Sequence, residues 1–474
     1  MSHFSNKPGP EFHLGLEDSL SNAARLLILT TAFLGWLCAG FHLSITSVAM
    51  QPAVIDLLDR TGAMSRERYE ALIKLAPTNK SGKTLVATSD FSPEDQTQLN
   101  DWKILIAKWY AWTQCSFLFG AALGGLCFGE IGDRFGRTKG MGLSILTYSI
   151  MAGVAYFADR PMILCVCWFL ACTGVGGMWP NGVALVAEAW SSLSRALAAG
   201  IIGTSANIGI FFLSMLATQY SVTPSNWQWM MLVGLSPFAL GVFALFAVPE
   251  SPRWLSTRRM NGENPVARVA KGEIFRPPLL MITLLGIALA TVPIIGGWGS
   301  ANWMVPWSAE AGAAADTPDP FLKAKVNGAR ALTGILGSLI GGWIASTLGR
   351  RQTYLLASVG ALLTAQYTFW FVYPTDSSFL WWVSALGFFN GIYFGWLPFC
   401  LPEFFPTRAR SAGAGVSFNF GRILTAVTVF ATGTLTNIFE GDYARIGRFT
   451  SLIFAVGILV ICIVPFSSKQ ELED

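Results

Sequence analysis

With 53% hydrophobic and only 13% charged side chains, the 474-residue chain is too apolar for a soluble protein, whose charged fraction is roughly 25%. Its 18 Trp, 34 Phe and 48 Gly fit lipid-facing helices with aromatic belts and close helix contacts. A net charge of +4 carries little by itself; where the charges sit along the chain matters more.

The first 25 residues are polar and contain no apolar run before a small-residue cleavage site, so no removable signal peptide is expected. Beyond them, apolar segments of about 20 residues, enough to cross a bilayer, recur along the chain. They read 26–50, 104–128, 139–158, 162–187, 197–219, 228–248, 279–300, 326–346, 353–373, 379–401, 411–436 and 449–466. The expected fold is an all-α membrane protein with 12 transmembrane helices, built as two homologous six-helix bundles around a central cavity. Its divisions are an N-terminal tail (1–25), a first bundle (26–248) with an outer loop (59–101), a linker (249–277), a second bundle (278–466) and a tail (467–474).

Lys and Arg set the orientation. Seventeen lie on the side that holds both termini and twelve on the other, and seven of those twelve belong to the loop after the first span. Both termini are therefore expected in the cytoplasm of a multi-pass plasma-membrane protein. The outer loop contains NKSGKT, which resembles the end of a phosphate-binding loop, but Pro77 stands where its first glycine belongs and no strand precedes it. A solvated loop is the better reading.

One cluster occurs twice, about 213 residues apart. GEIGDRFGRTK carries Gly129, Asp133, Arg134, Gly136, Arg137 and Lys139, and GWIASTLGRR carries Gly342, Gly349, Arg350 and Arg351, with Ser346 in place of the acid. A second pair repeats at a similar offset, Glu188 with Arg195 and Glu403 with Arg410. Such repetition points to two homologous halves that rock against each other. Asp133 with its arginines, Glu188 with Arg195, and Glu403 with Arg408 or Arg410 suit charge-assisted contacts that latch the halves in one state. The loss of the acid at Ser346 makes any such latch asymmetric.

At these residues the chain resembles the major facilitator superfamily. Gly129, Asp133, Arg134, Gly136 and Arg137 match the family's signature loop after the second helix, and the second half keeps a decayed copy. PESPRWL (Pro249–Leu255) and PEFFPTRAR (Pro402–Arg410) look like motifs of the sugar and organic-ion branches. AEAWSSLSR (Ala187–Arg195) and SFNFGR (Ser417–Arg422) are most similar to the metabolite–proton symporter branch, which includes sialic acid and aromatic-acid permeases. The resemblance covers roughly 26–466 and implies alternating access. It breaks where that branch keeps its acidic first-helix motif, here Ala39, Gly40, Phe41 and His42. It breaks again in the fourth helix, where Trp168 and Met178 occupy the places of an arginine and an acid. Proton symport is therefore not inherited from the resemblance.

An ionisable side chain at the bilayer centre costs about 2.5–3.5 kcal/mol on insertion scales, so each one calls for a reason. Arg422 lies near mid-depth, with no Asp or Glu at a comparable level, and reads as an anion clamp. Arg330 and Lys108 sit nearer the outer ends of their helices, where snorkelling competes with substrate contact. Asn207 and Asn419, in the related strings SANIG and SFNFG, can hydrogen-bond substrate or bridge helices; Trp179 can supply an apolar wall. His42 is the one histidine inside a span and a candidate proton carrier.

All eight cysteines lie in apolar stretches without metal-ligand or redox spacing, and the chain has three histidines. No metal and no cofactor are expected. With no nucleophile–base pair visible, no enzymatic activity is expected either. The sequence reads as a monomeric permease for a small organic solute, an organic anion such as a carboxylate or sugar acid, with a proton as coupling partner, the bilayer as solvent and no nucleic acid. A neutral-sugar facilitator and a transporter-like solute sensor remain as alternatives.

Overall fold

The computed structural model describes residues 20–75, 92–189, 192–252, 254–256, 273–315, 317–405, 410–434, 439 and 442–464. Among them there is no strand. The first six crossings are α1 (Asn22–Val48), α4 (Pro93–Phe135), α5 (Arg137–Ala155), α6 (Pro161–Ala189), α7 (Ser192–Ala217) and the pair α8 (Gln228–Leu235) and α9 (Phe238–Ala247). Between the first two crossings lie α2 (Met50–Arg60) and α3 (Arg66–Leu75). The seventh crossing starts as α10 (Leu279–Ile294). It continues through a π turn, Ile295–Ser300, and a 3₁₀ turn, Ala301–Trp303, into α11 (Met304–Ala313). Then follow α12 (Leu322–Thr347), α13 (Arg350–Phe371), α14 (Phe379–Cys400), α15 (Arg410–Thr434) and, as the twelfth, α16 (Tyr443–Thr450) with α17 (Ile453–Ile463).

Seven of these segments are long and apolar enough to cross a membrane by length and composition alone. The other crossings are identified by their place in the fold. Three helices outrun the expected apolar spans. The second begins at Pro93, the seventh runs to Ala313, and the twelfth begins at Tyr443. Hydropathy sees only the lipid-thick portion, whereas local chemistry sets the ends. Ser92 caps α4 with its hydroxyl on the Asp95 N–H (3.1 Å), and Asp95 returns the bond to Ser92 N–H (3.3 Å), with Pro93 at the first helical position.

The two halves pack by the same device. In the first, α4 crosses α6 so closely that a Cβ on Gly124 would stand 1.8 Å from the Thr173 carbonyl oxygen. In the second, α14 crosses α12 so that a Cβ on Gly395 would stand 2.5 Å from that of Ser338. Only glycine lets the backbones meet there. The halves join along two seams, α4 against α15 and α7 against α12.

The duplicated cluster has the same backbone twice. Gly136 (φ 120°) and Gly349 (φ 103°) each end one helix and start the next in a left-handed conformation. These turns lie on the face of the membrane where α1 begins, called here the near face. NKSGKT lies outside the described residues.

Candidate functional site

Arg422 stands twelve residues into α15, about 18 Å along a helix that crosses a core of about 30 Å. Its side chain is buried (9% exposed) and lies on the seam with α4. One Nη donates to the Ala121 carbonyl oxygen (3.2 Å) and to Asn419 Oδ1 (3.4 Å), and the guanidinium covers the Phe418 ring at 4.8 Å. Asn419, one turn earlier on α15, packs against Gly125 of α4. Among the described residues no carboxylate comes within ion-pair distance of Arg422.

Arg330 departs from expectation. Eight residues into α12 it does not snorkel outward; its head group turns into the seam. One Nη donates to both Asn302 Oδ1 and Asn327 Oδ1 (3.1 Å each), while the other Nη is buried without a partner. Asn302 is the hub. It accepts from Ser47 Oγ of the first half (2.8 Å) and donates to Gln114 Oε1 (3.0 Å) and, at 3.5 Å, to Tyr110 Oη. Asn327 donates to Ser44 and Ser214 (3.1 and 3.0 Å), and Gln51 donates to Tyr443 (3.3 Å). Lys323 donates to the Val222 carbonyl oxygen (2.6 Å), and Lys103 pairs with Glu310 at 3.5 Å. Apart from the two Arg330 bonds, which stay within the second half, each of these contacts joins one half to the other on the far-face side. The structure is therefore closed toward the far face.

Between the Asn302 and Arg422 levels, Trp298 stacks on Phe117 at 4.3 Å. Asn207 of α7 faces Gly334 of α12 across the other seam. Asn390 of α14 faces Gly297, and its Oδ1 is buried with no partner. Trp179, half-buried, meets Trp36 at 4.9 Å.

Two candidates lie away from this seam. Lys108 is exposed on the flank of α4, its Nζ 5.7 Å from the centroid of the Trp112 ring, as a snorkelling lysine on a lipid-facing surface would be. His42 is fully enclosed within the first half, between Tyr148 (4.7 Å) and Trp168 (5.7 Å). Its Nδ1 faces the Cys38 carbonyl oxygen and its Nε2 that of Tyr148, both at 3.1 Å. The candidate proton carrier of the sequence is thus packed between helices of one bundle.

Among the described residues the near-face charges close within each half in this conformation, which is closed at the other face; the expected latch concerns the opposite state. Arg137 pairs with Asp133 and, at 3.7 Å, with Glu188, and Arg134 pairs with Glu130 at 2.7 Å. The PESPRWL segment docks on the same loop. Glu250 accepts from the Thr138 N–H (3.2 and 3.3 Å) at the start of α5, Trp254 Nε1 donates to the Asp133 carbonyl oxygen (2.9 Å), and Ser251 donates to Glu188. Gly129 has open space around it. In the second half Arg350 forks onto Glu403 (3.0 and 3.1 Å), a bond that raises its pKa above the ordinary guanidinium value. Arg351 donates to the Val464 carbonyl oxygen (2.7 Å). Ser346 satisfies itself on the Trp343 carbonyl (2.7 Å). Arg408 and the side chains of Arg195 and Arg410 lie outside the described residues.

The residues missed in the sequence are the amides, Asn302, Gln114, Asn327 and Asn390. One signal was available, since Asn327 and Arg330 share a helix face at i, i+3.

A model of the Major Facilitator Superfamily matches residues 107–429. The chain is 26% identical over 324 residues to the cis,cis-muconate transport protein of Acinetobacter baylyi, covering 68% of this chain and 76% of that protein. It is 22% identical over 407 residues to a niacin transporter of the same organism, covering 80% and 90%. The solved structure of a D-xylose–proton symporter superposes with a TM-score of 0.66 at 16% identity, over 92% of this chain and 96% of that one. With twelve crossings, a duplicated signature turn and a polar seam between two halves, the chain belongs to the Major Facilitator Superfamily and is a secondary membrane transporter of a small organic solute.

Proposed function

We propose that the protein carries an organic anion by alternating access, with Arg422 holding the anionic group of the cargo. One observation carries the proposal: Arg422 is buried at mid-depth on the seam, and no described carboxylate neutralises it. A buried cation without a counter-ion is expensive, and a carboxylate cargo supplies the missing charge in the fork geometry that guanidinium favours. Asn419 and Asn207 orient the cargo from the two seams, and Trp179 and Trp298 wall it. The muconate and niacin carriers among the relatives agree with an anionic cargo.

The near face is the cytoplasmic one in this reading, because Lys and Arg crowd its loops, and the protein works as a monomer in the plasma membrane. Uptake is coupled to a proton through His42. As a neutral ring it donates to one of its two carbonyl partners, whereas the imidazolium donates to both. An arabinose–proton symporter of Bacillus subtilis is among the relatives.

Reconstitution in liposomes tests both parts. Arg422→Gln is expected to weaken uptake of a labelled carboxylate at least tenfold in the half-saturating concentration. Unchanged affinity, or saturable uptake of neutral sugars only, refutes the anion site. His42→Gln is expected to abolish accumulation driven by a pH gradient while sparing counterflow exchange; gradient-driven accumulation that persists in that variant refutes the proton role.

A further inference from the structure

We infer that the cargo is a short dicarboxylate whose second carboxylate is taken by Arg330. This rests on the reading of Arg422 as an anion site and adds a second cation to it.

Both arginines are referenced to α4. Arg422 reaches the Ala121 carbonyl directly, and Arg330 reaches Gln114 through Asn302. Gln114 and Ala121 are seven residues apart, about 10 Å along the axis of α4, so the two arginines are tied to that helix at different depths. Phe117 lies between those levels on α4. Its stacking partner Trp298 lies one turn before Asn302 on the seventh crossing, which runs in the opposite direction, so both helices place an aromatic ring at the same intermediate depth. The order along the seam is cation, aromatic wall, cation.

Valence points the same way. Arg330 has one Nη shared between two amide oxygens and the other buried with no protein acceptor. Buried polar atoms are normally satisfied, so this orphan donor marks where an acceptor atom of the ligand belongs. A single carboxylate on Arg422 leaves Arg330 uncompensated, whereas a dianion answers both. Its carbon chain then lies against Trp298. Because Asn302 also holds Ser47 and Gln114, a carboxylate on Arg330 competes with the residue that closes the far face, which links cargo to gate.

The test is calorimetric titration of the purified full chain with adipate, adipate monomethyl ester and hexanoate. Adipate is expected to bind at least tenfold more tightly than either monoanion. Arg330→Gln is expected to bring adipate down to the affinity that the same variant shows for the monoanions, Arg330→Lys to keep part of the advantage, and Arg422→Gln to weaken all three. Equal affinity of wild type for adipate and its monoester overturns the inference and leaves the anion site standing. An advantage that survives Arg330→Gln, or an Arg330→Gln protein that loses all three ligands together, overturns the assignment to Arg330. Absence of binding by any of the three refutes the anion reading and the inference with it.

Discussion

Replacing Gly136 by alanine measures how much the first signature turn depends on its glycine, and Gly349→Ala supplies the internal control. Gly136 adopts φ 120°, ψ 145°, and Gly349 φ 103°, ψ 152°. A side chain in this region of backbone space costs about 1–3 kcal/mol at either site. The environments then diverge. At Gly136 the new Cβ would stand 2.1 Å from Glu250 Oε2, the carboxylate that receives the Thr138 and Ser251 N–H groups. Moving Glu250 aside removes the cap of α5, worth about 1 kcal/mol. At Gly349 the Cβ meets only Gln352 Oε1 at 2.5 Å, the tip of an exposed side chain that rotates away. Gly136→Ala is therefore expected to destabilise by about 2–4 kcal/mol and Gly349→Ala by about 1–3 kcal/mol. Denaturant unfolding in detergent, followed by tryptophan fluorescence, reads both. In a Glu250→Ala background the excess at Gly136 is expected to vanish. The reasoning fails if Gly349→Ala is the more damaging change, or if the excess persists without Glu250.

Asn302→Ala removes the acceptor of Ser47 and Arg330 and the donor to Gln114. Loosening the closed far face by about 1–3 kcal/mol raises the open population roughly 5- to 150-fold. Thiol labelling of a Gln51→Cys probe is expected to accelerate accordingly, and an unchanged rate refutes Asn302 as the hub. Gly124→Leu drives side-chain bulk into the Thr173 carbonyl and is expected to abolish monodisperse protein on size exclusion; normal yield argues against the crossing. Glu403→Gln breaks the fork with Arg350, but those side chains are 35% and 40% exposed, so solvent screens the pair. Its stability cost is expected at about 0.2–1 kcal/mol in the same unfolding assay. A loss of several kcal/mol would show that the pair does more than close one half.

The sequence by itself determined the class, the duplication and the number of crossings. Each follows from local chemistry that hydropathy and spacing register: a run of about 20 apolar residues crosses lipid wherever it sits, and a Gly-Arg turn repeated 213 residues later has the same backbone, as Gly136 and Gly349 show. It also singled out Arg422, because a lone charge in an apolar run is visible without knowing its neighbours. Which side chains converge was decided only by tertiary structure. Asn302, Gln114 and Asn327 are unremarkable amides in sequence and become a hub because the seventh, second and eighth crossings meet there. Arg330 looked able to snorkel, yet α12 turns it inward, and the sequence marked His42 as titratable without showing that packing encloses it against Tyr148 and Trp168. The near-face charges were legible as charges, but whether they bridge halves depends on the conformation, and here the described ones close within their own bundle. Helix periodicity fixes a residue's face, and only the rotation of that helix against its neighbours decides what the face meets.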